Sequence, residues 1–194
     1  AKASMCYSLK SILNLAGHKT NLYTSPHLLS YTERYVFEDK EINEEDLIVL
    51  LTDVEKTLGD DNATLFEILT CAFLKYAENF KDNINIIEAG LFHQFDSTNV
   101  FKENLMTLIG VIHNDHFQWL ENKSIDGVIH EKTAKLLNSN IFVNKQVNNE
   151  IRDKIESSLE KNTSKKYFFG KDFNIGKSEN GFIQYQDQLG ELVL

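Results

Sequence analysis

The chain has 194 residues, 42% hydrophobic and 25% charged, the balance of an ordinary globular protein. Its formal charge of -9, with lysines and arginines dispersed, argues against a nucleic-acid backbone or an anionic membrane as main partner, since both call for a basic face. The longest apolar runs are a few residues, far short of a bilayer span, and no signal-peptide pattern opens the chain, so a cytoplasmic location is expected.

Met5, Leu9, Ile12, Leu13 and Ala16 recur at helical spacing, which predicts a helix over 4–16 closed by Gly17 as C-cap. A short strand follows over 20–23. It runs into Thr24-Ser25-Pro26-His27, which carries the single proline of the chain. In a parallel α/β sheet the loop leaving the carboxyl end of a strand faces the ligand crevice, and Pro26 restrains both itself and Ser25. A lone proline also serves as an ordinary turn residue.

Asn43 before Glu44, Glu45 and Asp46 reads as an N-cap followed by acids suited to the positive helix end, opening a helix to about Leu58. Helical spacing returns over 64–76, and 84–87 is a buried-strand candidate leading to Glu88. A further apolar run over 105–112 ends in His113, Asn114, Asp115 and His116. Ser124 caps a helix expected to reach about Leu137. A short strand over 141–143 and a helix over 148–159 follow. Beyond Gly170, residues 173–175, 181–185 and 189–194 read as short antiparallel strands.

Alternating strands and helices predict an α/β fold, a mostly parallel sheet with helices on both faces, plus a small antiparallel β segment at the C-terminal end. Cys6 and Cys71 have no partner at metal-knuckle spacing and are expected to be reduced, buried and apolar in behaviour. The start at Ala1 and the stop at Leu194 both read as cut ends.

Ser25, Glu88, Asp96, Asp115 and His116 each follow an expected strand, and Lys132 is a further candidate. A hydroxyl, a carboxylate and an imidazole at strand ends can hold a hard divalent cation, because Mg²⁺ takes few protein ligands and keeps positions for water and phosphate oxygens; Mn²⁺ tolerates the same set. Each residue taken singly also has an ordinary structural role. Asp115 is placed to orient His116, while His93 and His113 each lie beside a candidate residue without an assigned role. Ala1-Lys2-Ala3-Ser4 opens the first helix like the tail of a phosphate-binding loop, without its glycines.

With these positions placed, the chain resembles the folylpolyglutamate synthases of the Mur ligase superfamily, in particular their bifunctional dihydrofolate synthase form. The resemblance covers nearly all of the chain. It is carried by Ala1-Lys2-Ala3-Ser4, Leu22 to Leu29 running on into Tyr31-Thr32-Glu33-Arg34, Thr64-Leu65-Phe66-Glu67, Ile87-Glu88-Ala89-Gly90-Leu91, Asp96-Ser97-Thr98-Asn99, Asn114-Asp115-His116 and Glu131-Lys132. The resemblance implies an ATP-dependent ligase that joins L-glutamate to dihydropteroate or a folate through an acyl phosphate. It implies that Lys2, Ala3 and Ser4 lie at the ATP phosphates. Ser25, Glu88, His116 and Lys132 would be metal ligands, Lys132 as a carbamylated lysine and, with His116, as a catalytic group. Thr64, Phe66, Glu67, Asp96 and Ser97 would line the pterin site. It further implies an incomplete central ATPase domain over 1–169, the antiparallel extension over 170–194, an absent C-terminal glutamate-ligase domain and a monomeric full-length protein. The chain departs from the family pattern at Ala1 and Ala3, where glycines are usual, at Phe92 and His93, where Gly-Leu-Gly-Gly is usual, and at Thr133-Ala134, where Lys132 is usually followed by Ala-Gly. These departures admit a second reading, a relative without turnover that retains binding or a structural role.

Overall fold

The computed structural model describes residues 2–136, 138–177 and 180–193. The phosphate-loop position Ala1, the expected helix end at Leu137 and the strand end at Leu194 lie outside the described residues. Two compact units emerge, residues 1–91 with 95–100, and residues 92–94 with 101–194.

The first unit is built on a four-stranded sheet in the order β3-β2-β1-β4, where β1 is Thr20–Tyr23, β2 Tyr35–Phe37, β3 Lys40–Glu41 and β4 Ile84–Ile87. Only β1 and β4 are parallel, paired from Thr20↔Ile84 to Tyr23↔Ile87, and β2 and β3 add an antiparallel hairpin. Strand alternation sends successive side chains to opposite faces. Leu22, Val36 and Ile86 therefore meet Cys6, Leu9 and Leu13 of α1 (Lys2–Leu15) on one face. Tyr23, Tyr35 and Phe37 meet α2 (Glu44–Leu58) and α3 (Leu65–Ala77) on the other. Phe73 of α3 is fully buried and stacks on Tyr23 at 5.0 Å and Phe37 at 5.4 Å between ring centroids. Asn43 caps α2 as its sequence predicts, accepting from the Asp46 N–H, and Thr64, expected as the first helical residue, instead caps α3 and forms a capping box with Glu67.

The second unit carries a parallel sheet in the order β5-β6-β7, with β5 Glu103–Ile109, β6 Asn138–Val143 and β7 Lys165–Phe168. Its core joins Ile109, Ile141, Val143 and Phe168 to Val128 and Ile129 of α4 (Ile125–Thr133) and Ile155 of α5 (Asn149–Ser158). An antiparallel sheet β8-β9-β10 follows, made of Phe173–Lys177, Ile183–Asp187 and Gly190–Val193.

The mixed α/β class with a parallel sheet and a terminal antiparallel sheet agrees with expectation. Four details differ. Strands β2, β3 and β7 were not expected. The strand expected over 105–112 stops at Ile109, because the chain turns at Gly110–Ile112, where Gln146 takes the Ile112 N–H at 2.9 Å and donates to the Gly110 carbonyl at 3.0 Å. Helix α4 ends at Thr133 because Ala134 is already extended, with ψ of 140°, and Lys135 follows with a left-handed φ of 57°. Cys71, expected to be buried, is exposed on α3, since Thr70 and Ala72 occupy the buried face beside it. Among the described residues no helix is long and apolar enough to cross a membrane.

Candidate functional site

In the first unit the carboxyl ends of the parallel strands β1 and β4 bring Ser25 and Glu88 together. Glu88 donates its backbone N–H to the Tyr23 carbonyl at 2.9 Å, continuing the ladder one residue past the strand. Its side chain is 4% exposed, and Oε2 accepts from the Ser25 N–H at 3.1 Å. A carboxylate this deep is costly to bury without partners. The Ser25 N–H supplies one, and Oε1 remains available to a further donor or a cation. The Ser25–Pro26 peptide bond is cis.

The loop beyond Pro26 is held by one acid. Glu33 accepts the N–H groups of Leu28, Leu29 and Ser30 at 2.8, 2.7 and 2.7 Å, and these bonds keep its carboxyl below the usual glutamate range. Arg34 donates from Nε to His27 Nδ1 at 2.9 Å.

Lys2 and Ser4 stand in the first turn of α1, with Ala3 between them. Lys2 Nζ donates to the Ala89 carbonyl at 2.6 Å and also to that of Gly90. Cys6, one turn on, has its thiol pushed up to about 11, first by burial and then by the Glu88 charge, with Lys2 opposing. It is therefore a protonated neighbour of the site, not a thiolate ligand.

The residues assigned to a pterin site fall into two sets. Thr64 and Glu67 bond to each other, the Glu67 carboxylate accepting the Thr64 N–H at 2.7 Å and its hydroxyl at 2.8 Å. Phe66, Asp96 and Ser97 gather around Gly90. A Cβ on Gly90 would lie 2.6 Å from Asp96 Oδ2 and 2.7 Å from Phe66 Cε1, so this close approach requires glycine. Asp96 Oδ1 closes its own turn by accepting from the Thr98 N–H at 3.0 Å and hydroxyl at 2.5 Å. The Phe66 ring stacks on Tyr23 at 6.2 Å.

In the second unit His116 and Lys132 share an aromatic neighbour. The Phe92 ring stands edge-on to His116 at 6.1 Å, and Lys132 Nζ lies 5.5 Å from its centroid. His116 is left-handed at φ 61° and its Nε2 is 3.2 Å from Asp115 Oδ2, which realises the expected orienting contact. The 92–94 segment is fixed by the His93 and Gln94 N–H groups, both donating to the Glu131 carbonyl at 3.1 and 3.2 Å. His113 is exposed. Among the described residues no group of three or more His, Cys, Asp or Glu side chains could hold a metal.

Sequence reasoning did not single out Thr70, which hydrogen-bonds Tyr23, or assign a role to Arg34, which holds His27. A lone hydroxyl in the apolar run of α3 was the available signal for Thr70.

No family model matches the chain. The dihydrofolate synthase/folylpolyglutamate synthase of Escherichia coli strain K12 is 34% identical over 119 residues, 61% of this chain and 28% of that protein. Among solved structures, the E. coli FolC complex with DHPP and ADP aligns at TM-score 0.87 and 26% identity over 98% of this chain and 45% of its own. The chain is similar to these synthases in sequence and in fold. A bifunctional folylpolyglutamate synthase/dihydrofolate synthase from Yersinia pestis, complexed with AMPPNP and Mn ion, gives TM-score 0.86 and 26% identity over the same 98% and 45%. The chain spans less than half the length of each of these synthases.

Proposed function

We propose that this chain is part of an ATP-dependent ligase of folate metabolism, a cytoplasmic protein that joins L-glutamate to dihydropteroate or a folate through an acyl phosphate. The observation that carries the reading is the buried Glu88 carboxylate tied to Ser25 at the carboxyl ends of two parallel strands. A hydroxyl and a carboxylate with one free oxygen fit Mg²⁺ or Mn²⁺, which keeps several waters and shares phosphate oxygens instead of demanding a protein cage. When bound, such an ion would neutralise charge on the transferring phosphoryl group.

The chain's own residues supply the rest. Glu88 and Ser25 would hold the cation. Lys2 and Ser4 face anions from the first turn of α1, where free N–H groups favour negative charge. Lys2 would exchange the Ala89 and Gly90 carbonyls for phosphate oxygens. Phe66, Asp96 and Ser97 offer a pterin ring a stacking face and acceptors. In the second unit His116 and Lys132 are assigned to the same chemistry through the resemblance to the family.

A second reading has its own observation. Phe92 stands where a glycine is usual and contacts both His116 and Lys132, as a relative that has lost turnover and kept binding would allow.

The test is Mn²⁺ binding to the chain, followed by paramagnetic relaxation with and without ATP. Wild type should bind Mn²⁺ more tightly with ATP present, and Glu88→Gln should lose that enhancement. Equal enhancement in the variant would remove Glu88 from the metal site. Enhancement in wild type without glutamate ligation by the full-length polypeptide would favour the second reading.

A further inference from the structure

The sequence holds one Asn-Gly pair, Asn180-Gly181, and it lies where β8 turns into β9. The ladder between these strands ends at Lys177↔Ile183, so neither residue of the pair is tied into it. Asn180 is exposed, and among the described residues nothing hydrogen-bonds its side chain. Gly181 is exposed at φ 82°, with nothing within 4 Å of the place where a Cβ would stand. An asparagine amide carbon is an electrophile that the backbone nitrogen of the next residue can reach by closing a five-membered ring. A held side chain, a backbone locked in a ladder or helix, or bulk on the following residue each oppose that closure. None of the three acts at Asn180.

Asp126-Gly127 is the contrast, the only other place where an acid or amide of this length precedes glycine. It sits inside α4, where the Gly127 N–H donates to Ser124 Oγ at 3.1 Å and the Asp126 carboxylate pairs with Lys154 at 3.0 Å. Both reacting groups are engaged there.

We propose that Asn180 is a self-modification site that converts to isoaspartate. The Gly181 nitrogen attacks Asn180 Cγ and gives up its proton. The new C–N bond closes a succinimide, and the side-chain nitrogen leaves with that proton as ammonia. Water then opens the ring. Opening at the α-carbonyl routes the main chain through the former side chain and leaves isoaspartate, whereas opening at Cγ leaves aspartate. No electrons are transferred, and water is the sole co-reactant. Either product sets a new carboxylate at the hairpin tip, outside the ladder, so β8 and β9 keep their pairing. The exposed α-carboxyl of isoaspartate fits one class of partner, a carboxyl methyltransferase that recognises isoaspartate and uses S-adenosylmethionine.

The experiment incubates the folded chain at mildly alkaline pH beside the same chain in urea. Mass spectrometry of the tryptic peptide that follows Lys177 reports the exchange of NH₂ for OH, and labelled methyl transfer by an isoaspartyl methyltransferase scores isoaspartate. The folded chain should convert within about tenfold of the rate in urea, because an unprotected turn opens at almost no cost. Asn180→Gln should lose both conversion and methyl acceptance in this peptide, since its ring would have to be six-membered. Asp126 should remain unconverted in the folded chain and yield isoaspartate in urea. A folded rate more than about tenfold below that in urea overturns the proposal, because the fold then protects the pair. Conversion without methyl acceptance overturns it too, as does conversion of Asn180→Gln at the wild-type rate or isoaspartate forming at Asp126 of the folded chain as fast as at Asn180.

Discussion

The two units hold their candidate residues by different means. In the first, polar groups at the strand ends satisfy one another: Ser25 bonds Glu88, Glu33 ties down three successive N–H groups, and Thr70 collects two hydroxyls. In the second, His116 and Lys132 are placed around the Phe92 ring, and the segment carrying that ring hangs from one carbonyl, that of Glu131. Directional hydrogen bonds fix side-chain orientation as well as position, whereas ring contacts fix position and leave orientation looser. The first unit thus presents a pre-set donor and acceptor pattern, and the second presents a packed aromatic cluster.

The largest expected effect breaks the scaffold behind the first pattern. Phe73→Ala removes the ring on which Tyr23 and Phe37 stack, so unfolding free energy should fall by about 3–5 kcal/mol. Denaturant titration monitored by tyrosine fluorescence measures it. A loss below about 1 kcal/mol would mean that the aromatic cluster collapses around the gap and that Tyr23 does not depend on it for its position.

Much of this arrangement was legible in the sequence, and the illegible parts share a cause. The caps at Asn43 and Ser124, the strands β1 and β4 and the placing of Ser25 and Glu88 after them follow from local pattern, because capping side chains and strand ends act within a few residues. The β2–β3 hairpin was not legible. Its turn residues Glu38 and Asp39 have φ of 46° and 71°, where Asn-Gly or Asp-Gly is the usual signal. A contact from α1 offsets that strain, since the largely buried Lys10 pairs with Asp39 and Asn14 donates to it at 2.8 Å. Thr70 was hidden for the same reason. Its partners are Tyr23 and Ser97, 47 and 27 residues away along the chain. Strand β7 opens on Lys165-Lys166 and gains its place by parallel pairing with β6, from Asn140↔Lys165 to Val143↔Phe168.

An intermediate effect sharpens the contrast from the second unit. Phe92→Gly removes a half-buried ring and its contact with Lys132, which should cost about 1–2 kcal/mol of stability. The more diagnostic readout is chemical. The Lys132 amine should acylate faster with an N-hydroxysuccinimide ester in the variant than in wild type, with peptide mass spectrometry reporting the site. Phe92→Leu keeps bulk without a π face and should fall between them. If Lys132 reacts at the same rate in all three, the ring is packing alone and does not govern the lysine.

The smallest effect concerns the loop after Pro26 and carries a pH sign. Glu33 is held below the ordinary glutamate range by the Leu28, Ser30 and Leu29 N–H groups, so its contribution is complete above the unfolded value and is lost as pH falls through the lowered folded value. Glu33 is a partly exposed loop residue outside both cores, so global stability should change little, and the consequence should be local. Amide exchange at Leu28, Leu29 and Ser30, corrected for intrinsic rates, should lose protection as the carboxyl protonates. Glu33→Gln should show the reduced protection at neutral pH and lose the acid dependence. The amides of Phe73 and Ile155, in the helices of the two cores, serve as controls and should stay protected throughout. If they lose protection together with Leu28, the loop is not an independent unit, and the hydrogen bonds that set it apart from the aromatic cluster of the second unit contribute no local order of their own.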